Sequence, residues 1–160
     1  MPFYMVKNDI TYMRLALEEA KYAFDRNEVP IGAILVSTST GTIAAQHGNR
    51  TIEHSDPTAH AEILCLRDVC KQNNKQRLPG YTLYVTLEPC PMCAAALSFA
   101  RLDRIVFGAS DIKSGGLNKD LNLYEHTQLH HKPKITSGIL AEECGQILKD
   151  FFKKKRQEKK

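Results

Sequence analysis

Two short segments constrain this chain more than any other feature, because each combines metal-binding side chains with the start of a helix. Residues 60–62, H-A-E, open a helical pattern predicted over residues 59–71. Residues 89–93, P-C-P-M-C, follow a strand pattern rich in β-branched and aromatic residues at 82–86, and they open another helix. If these side chains act jointly, the fold must bring the starts of two helices together.

The ligand types in the two segments match a catalytic zinc site. Cys90 and Cys93 are three residues apart, so on a helix their thiols share one face, at the end where the dipole favours thiolates. With His60 they offer one nitrogen and two sulfur atoms to a tetrahedral Zn²⁺, one ion per subunit, and leave the fourth position to water. Cys65 and Cys70 lie too far along the helix of His60 to close the site. Structural zinc is the alternative.

Glu62 is suited to moving protons rather than to binding the metal. Its spacing of two residues from His60 places the two side chains on different faces of the helix. A zinc-bound water has a lowered pKa, and a carboxylate beside it can take a proton and return it later in the reaction. The alternative is a carboxylate that only stabilises the start of the helix through its dipole.

The remaining hydrophobic pattern predicts a single α/β domain. Asn8 or Asp9 is the predicted N-cap of the first helix. The further predicted elements are a helix at residues 13–27, a β-hairpin of strands 31–36 and 42–47, a strand at 104–107, an edge strand at 134–136 and a helix from about residue 140. This order favours three α/β/α layers with a central mixed five-stranded sheet.

Composition predicts a compact, soluble, cytoplasmic protein. A chain of 160 residues can form one domain without disulfides. No signal-peptide pattern is present, and no apolar run approaches the roughly 18 residues that span a bilayer. The five cysteines are an odd number and favour a reduced compartment. We therefore expect neither disulfides nor a membrane.

The positive charge is concentrated at the C-terminus. Residues 151–160 contain six Lys or Arg and one Glu, whereas residues 1–150 contain 16 basic and 17 acidic side chains. Such a tail predicts an anionic partner. The alternative is a solvated end that improves solubility and has no specific role.

Longer stretches around the two segments carry a family resemblance. H-x-E with P-C-x-x-C is the signature of zinc-dependent base deaminases. Residues 56–62, D-P-T-A-H-A-E, and 82–90, T-L-Y-V-T-L-E-P-C, resemble the bacterial tRNA-specific adenosine deaminases of the cytidine deaminase-like superfamily. The similarity continues at residues 29–33, 48–50, 106–113 and 137–152, so most of residues 10–158 is covered.

The resemblance implies a cytidine deaminase-like fold, with a zinc-dependent deaminase domain at residues 1–150 and a basic C-terminal tail at 151–160 that continues the last helix. It also implies hydrolytic deamination of adenosine to inosine at the wobble position of a tRNA anticodon. In that reaction the zinc-bound water is the nucleophile and Glu62 the proton shuttle. The implied partners are the tRNA anticodon stem-loop and a second copy of the chain in a homodimer.

The resemblance further implies contacts with RNA. Asn49 would contact the target nucleotide and Asp111 a neighbouring nucleotide, while Phe152, Lys153 and Arg156 would contact the RNA backbone. The alternatives are local: Asn49 could serve a left-handed turn, and Asp111 could cap or end a strand.

Three other functions compete with this interpretation. A guanine deaminase acting on the free base shares the D-P-T-A-H-A-E and P-C-P-M-C motifs, although it needs no basic tail. Deamination of free cytidine or deoxycytidylate is a second alternative, and an RNA-binding module with structural zinc is a third. Residues 116–132 depart from the family pattern, and we interpret His130 and His131 within them as surface or RNA-facing residues.

Overall fold

The computed structural model describes residues 2–118, 121–126 and 128–159, with side chains from Asn8 onward. The helices are α1 (Pro2–Asp25), α2 (Ala61–Asn73), α3 (Pro91–Phe99) and α4 (Ala141–Glu158), with a 3₁₀ turn at Leu123–Glu125. The strands are β1 (Gly32–Ser37), β2 (Ile43–Gly48), β3 (Tyr81–Leu87), β4 (Arg104–Ala109) and β5 (Lys134–Ser137).

The five strands form one mixed sheet, as the sequence predicted, and their order in it is β2-β1-β3-β4-β5. β1 pairs antiparallel with both β2 and β3, whereas β3, β4 and β5 run parallel to one another. The carboxyl ends of β3 and β4 therefore meet at the same edge of the sheet. The segments that carry Cys90 and Asp111 leave from this edge.

Helices cover both faces of the sheet, which confirms the predicted three layers. On one face, α2 and α3 pack on side chains such as Leu83, Val85 and Ile105. On the other face, Met13 and Leu17 of α1 and Cys144 of α4 pack on the opposite side of the same strands. The metal-binding segments belong to the α2 and α3 layer.

The first helix begins earlier than predicted, so Asn8 and Asp9 do not cap it. α1 starts at Pro2, because proline is tolerated in a first turn and nothing between it and Asp9 interrupts the helix. Asp9 instead faces inward and is 4% exposed. Its carboxylate accepts hydrogen bonds from Arg104 at 2.7 and 2.9 Å and from the Tyr84 hydroxyl at 2.8 Å.

Arg104→Met should lower the free energy of unfolding by about 3 kcal/mol, because it leaves the buried Asp9 carboxylate without its cation. Urea denaturation measures the change. The matched control is Arg14→Met: Arg14 pairs with Glu143, and these side chains are 58% and 52% exposed. Its loss should have little measurable effect. Equal effects of the two substitutions would contradict a stabilising role for the Asp9–Arg104 contact.

One residue of the segment over residues 116–132 is more buried than the sequence analysis predicted. His131 is half-buried, not a surface residue: its Nε2–H donates to the Leu102 carbonyl at 2.6 Å, and its own carbonyl accepts from Ser98 at 2.5 Å. His130 is exposed. Three residues of the segment lie outside the described residues: Lys119, Asp120 and Thr127.

All five cysteines are free in the structure. Within residues 2–118, 121–126 and 128–159, the helices are too short or too polar to cross a bilayer.

Candidate active site

His60 is presented by a tight turn rather than by the body of a helix. It is the N-cap of α2, with extended backbone angles, so α2 begins two residues later than predicted. The reason is the preceding turn, in which Asp56 Oδ1 accepts from the backbone N–H of Thr58 at 2.8 Å and from its hydroxyl at 2.7 Å. Asp56 thus caps this turn and not α2 itself.

Cys90 and Cys93 lie at the start of α3, which follows β3. Cys90 is the extended N-cap, Pro91 follows as the first helical residue, and Cys93 lies within the first turn. Cys90 Sγ lies 3.7 Å from His60 Nδ1, and Cys93 Sγ lies 3.5 Å from it. The structure therefore brings the three predicted ligands together; we call His60, Cys90 and Cys93 the metal group.

The metal group has the dimensions and donors of a zinc site. Ligand atoms of its three members lie within 4.8 Å of one another. A tetrahedral Zn²⁺ with ordinary bond lengths separates a sulfur and a nitrogen ligand by about 3.6 Å. Across the described ranges, no other His, Cys, Asp or Glu joins the group. The residues present therefore fit zinc with one open position, which is the arrangement of catalytic sites.

The electrostatics of the metal group favour a cation. The hydrogen bond from Cys93 and the neighbouring His60 lower the pKa of the Cys90 thiol to about 4. Cys90 and burial in turn raise the pKa of Cys93. The hydrogen bond with Cys90 also raises the pKa of His60. A divalent cation bound there would stabilise both sulfurs as thiolates.

Glu62 is buried beside the metal group and is not a member of it. Its side chain is 4% exposed and lies next to the Cys93 thiol. Burial raises the pKa of its carboxyl above the ordinary value. A carboxyl kept from water in this way exchanges a proton readily with a group that reacts beside it.

Asn49 connects the end of β2 to the start of α2. Its Oδ1 accepts the Ala61 backbone N–H at 2.8 Å, and the residue is 5% exposed. Its backbone does not adopt a left-handed conformation, which rules out the turn alternative. Since Oδ1 is occupied, the Nδ2 amide is the part of the side chain that remains for a ligand.

Asp111 lies in the loop that follows β4 and holds that loop's own backbone. Its Oδ1 accepts the Ser114 N–H at 3.0 Å, and its carbonyl accepts the Gly115 N–H at 2.9 Å. Asp111 therefore makes local backbone contacts of the kind that the capping alternative describes. Asp111 is half-buried, so its carboxylate is not withdrawn from solvent.

Phe152, Lys153 and Arg156 are exposed near the end of α4. This end is fixed to α1, because the buried Phe151 ring contacts Phe24 at 5.6 Å. α4 lies on the sheet face opposite to α2 and α3, so these side chains belong to a different layer from the metal group. The structure thus groups them with one another and not with His60.

Sequence reasoning missed two buried carboxylates that shape the loops of the site. Glu28 is 1% exposed and accepts the backbone N–H of Ile52 at 3.1 Å and of Glu53 at 2.9 Å. Glu88 is 3% exposed and accepts the backbone N–H of Asp111. The only sequence signal was the position of Glu88 at the end of a strand, two residues before a metal ligand.

The comparisons with known proteins agree with this geometry. A relative from Agrobacterium fabrum, a tRNA-specific adenosine deaminase, is 49% identical over 145 residues, which is 91% of this chain and 94% of the relative. A solved structure from a study of A-to-I editing by tRNA:A34 deaminases at the wobble position of transfer RNA is 48% identical. It has a TM-score of 0.83 and covers 86% of this chain and 99% of its own. A guanine deaminase from Nitrosomonas europaea shares the fold at 21% identity, with a TM-score of 0.78 over 89% of this chain and 83% of its own.

The fold and the metal group with its adjacent buried carboxyl define a deaminase, and the MafB19-like deaminase family matches residues 7–156. The chain is therefore an enzyme that removes an amine by hydrolysis. Within this class, the chain belongs to the tRNA-specific adenosine deaminase family.

Proposed function

We propose that this enzyme converts adenosine to inosine at the wobble position of a tRNA anticodon, with one Zn²⁺ per subunit held by His60, Cys90 and Cys93. The observation that carries the proposal is the open three-ligand group with the buried Glu62 beside it. Its occurrence in a chain that is 49% identical to a tRNA-specific adenosine deaminase supports RNA as the substrate.

The residues around the metal group divide the chemistry between them. A zinc ion bound there supplies a Lewis acid that lowers the pKa of a water molecule. Glu62 accepts a proton from that water and passes it to the ring nitrogen next to the carbon that carries the amine. Once the oxygen of the water is bonded to that carbon, Glu62 takes the second proton from this oxygen and delivers it to the amine. The carbon–nitrogen bond then breaks, the amine leaves as ammonia, and the carbon keeps the oxygen as a carbonyl.

Asn49→Asp should raise KM for the RNA substrate about tenfold, because it retains the Oδ1 acceptor for Ala61 N–H but removes the Nδ2 donor proposed to hold the target nucleotide. Steady-state kinetics with a wobble-adenosine stem-loop give the value. Asn49→Ala loses both contacts and should reduce thermal stability as well. Wild-type KM in Asn49→Asp would show that the residue supports only the start of α2.

The exposed end of α4 is proposed to bind the RNA backbone. A base that is deaminated must leave its stack to enter the site, so the flanking backbone needs a binding surface of its own. Lys153 and Arg156 offer cations to phosphates, and the exposed Phe152 ring lies next to them. By contrast, Lys155 is already hydrogen-bonded to Asn27 and pairs with Glu158.

Further parts of the proposal concern the assembly. We propose that residues 1–150 form the catalytic domain and residues 151–160 a basic tail that extends the last helix. We also propose that the enzyme works as a homodimer on the tRNA anticodon stem-loop in the cytoplasm.

The test compares substrates on the zinc-loaded protein. An anticodon stem-loop with adenosine at the wobble position, free guanine and free cytidine are incubated in parallel, and the release of ammonia and the base products are measured. We expect inosine in the stem-loop and no reaction with the free compounds. Conversion of guanine without conversion of the stem-loop would refute the choice of substrate and retain the zinc chemistry.

A further inference from the structure

Glu88 joins the metal-binding segment to the loop after β4. Its Oε1 accepts the Asp111 backbone N–H at 3.1 Å, and its Oε2 accepts the Leu117 backbone N–H at 3.0 Å. Glu88 is also only two residues from Cys90 along the chain. One buried carboxylate therefore holds both ends of the loop over residues 111–117, which we call the clamped loop.

The clamped loop packs so closely that a side chain has no room at Gly115 and little room at Gly116. A Cβ at Gly115 would lie 2.0 Å from Glu88 Oε2, and a Cβ at Gly116 would lie 3.1 Å from the Cys90 carbonyl oxygen. Gly116 also donates its N–H to the Pro89 carbonyl at 2.8 Å. The clamped loop is thus built directly on the backbone that presents Cys90.

The residue that follows the clamped loop also ties its two ends together. The side-chain amide of Asn118 donates to the carbonyl oxygens of Asp111 and Gly115, each at 3.2 Å. The backbone of Asp111 is therefore held from the far end of the loop as well as by Glu88.

We infer that Glu88 is a positioning residue that fixes the clamped loop, and with it Asp111, against the metal-binding segment. Through that placement Glu88 sets how tightly the enzyme holds the nucleotide next to the target base. The inference rests on the proposed function and on the contact between Asp111 and that nucleotide, which the family resemblance implies. Both oxygens of Glu88 are used on backbone groups, so its removal affects substrate binding and not the chemical step.

The experiment measures kcat and KM of zinc-loaded Glu88→Gln on three substrates. The first is the wobble-adenosine stem-loop, and the other two are the same stem-loop with one abasic site, either before or after the target nucleotide. Glutamine offers one acceptor oxygen in place of two, and its amide faces a backbone N–H. We expect KM on the intact stem-loop to rise about tenfold, with kcat and zinc content unchanged. On one abasic substrate the difference from wild type should disappear, because the affected contact is already missing.

A second variant keeps the test decisive if Glu88→Gln does not fold. Gly115→Ala leaves the carboxylate in place and pushes the clamped loop away from it, so it should give the same pattern over the three substrates. The matched control is Glu28→Gln, which removes an equally buried acceptor of two backbone N–H groups in a different loop. Glu28→Gln should change KM by the same factor on all three substrates.

Three results would overturn the inference. The first is a wild-type KM in both Glu88→Gln and Gly115→Ala, and the second is a rise in KM by the same factor on the intact and the abasic substrates. The third is loss of zinc from Glu88→Gln. A wild-type enzyme that leaves the intact stem-loop unchanged would instead refute the proposed function, and the inference with it. The wild-type reaction therefore separates the two failures.

Discussion

Glu62→Gln should strongly reduce turnover while the protein stays folded and binds its metal. The amide fills the same buried space but cannot carry a proton from water to the ring nitrogen and then to the leaving amine. General acid–base catalysis of this kind contributes about 10²–10⁴-fold, so kcat should fall by about a thousandfold. Single-turnover assays, with zinc content and thermal melting measured in parallel, test the expectation.

The control for Glu62→Gln addresses the alternative that the carboxylate only stabilises a helix start. Glu142 is the second residue of α4, as Glu62 is the second residue of α2, and it is exposed. Glu142→Gln removes the same favourable interaction with a helix dipole and should leave kcat unchanged. A Glu62→Gln enzyme that turns over at the wild-type rate would contradict the assigned proton transfer.

Cys90→Ala should release the metal and with it all deaminase activity. The substitution leaves two ligands, and we expect zinc affinity to fall by more than about 100-fold, beyond the loss typical of residues that only support a ligand. Metal analysis after dialysis gives the zinc content, and circular dichroism reports the fold. Because His60, Cys90 and Cys93 are not part of the two hydrophobic clusters that hold the helices on the sheet, the helices should persist.

The outcome of Cys90→Ala also separates catalytic from structural zinc. A domain that depends on its metal for folding unfolds when the metal is lost. Cys70→Ala is the control, since Cys70 is a free, half-buried thiol on α2 outside the metal group. Retention of stoichiometric zinc by Cys90→Ala would contradict the ligand assignment, and unfolding would favour structural zinc.

Local patterns were sufficient to predict the sheet and the convergence of the three ligands. The three-residue spacing of Cys90 and Cys93, with Pro91 between them, determines both the start of α3 and the shared face of the thiols. His60 could be placed near them because each motif follows a strand of one sheet. The first four strands were predicted from short apolar or β-branched runs, whereas β5 offered only Ile135 and Thr136.

Contacts between residues far apart in the chain were not predictable. Glu88 binds the backbone of residues 23 and 29 positions away, and Glu28 binds residues 24 and 25 positions away. Acceptors of backbone N–H groups leave no trace in hydrophobic periodicity. Asp9 was mistaken for a helix cap for a related reason: a capping aspartate and a buried partner of Arg104 look alike in sequence.

The most direct test of the central claim is the reaction of full-length tRNA with the zinc-loaded enzyme in ¹⁸O-labelled water, followed by position-specific nucleoside analysis. The substrate carries adenosine at the wobble position and other adenosines elsewhere in the same loop. We predict inosine at the wobble position alone, with the new oxygen labelled from water and the reaction absent in Glu62→Gln. Unchanged wobble adenosine in a reaction where the same enzyme deaminates free guanine would contradict the claim.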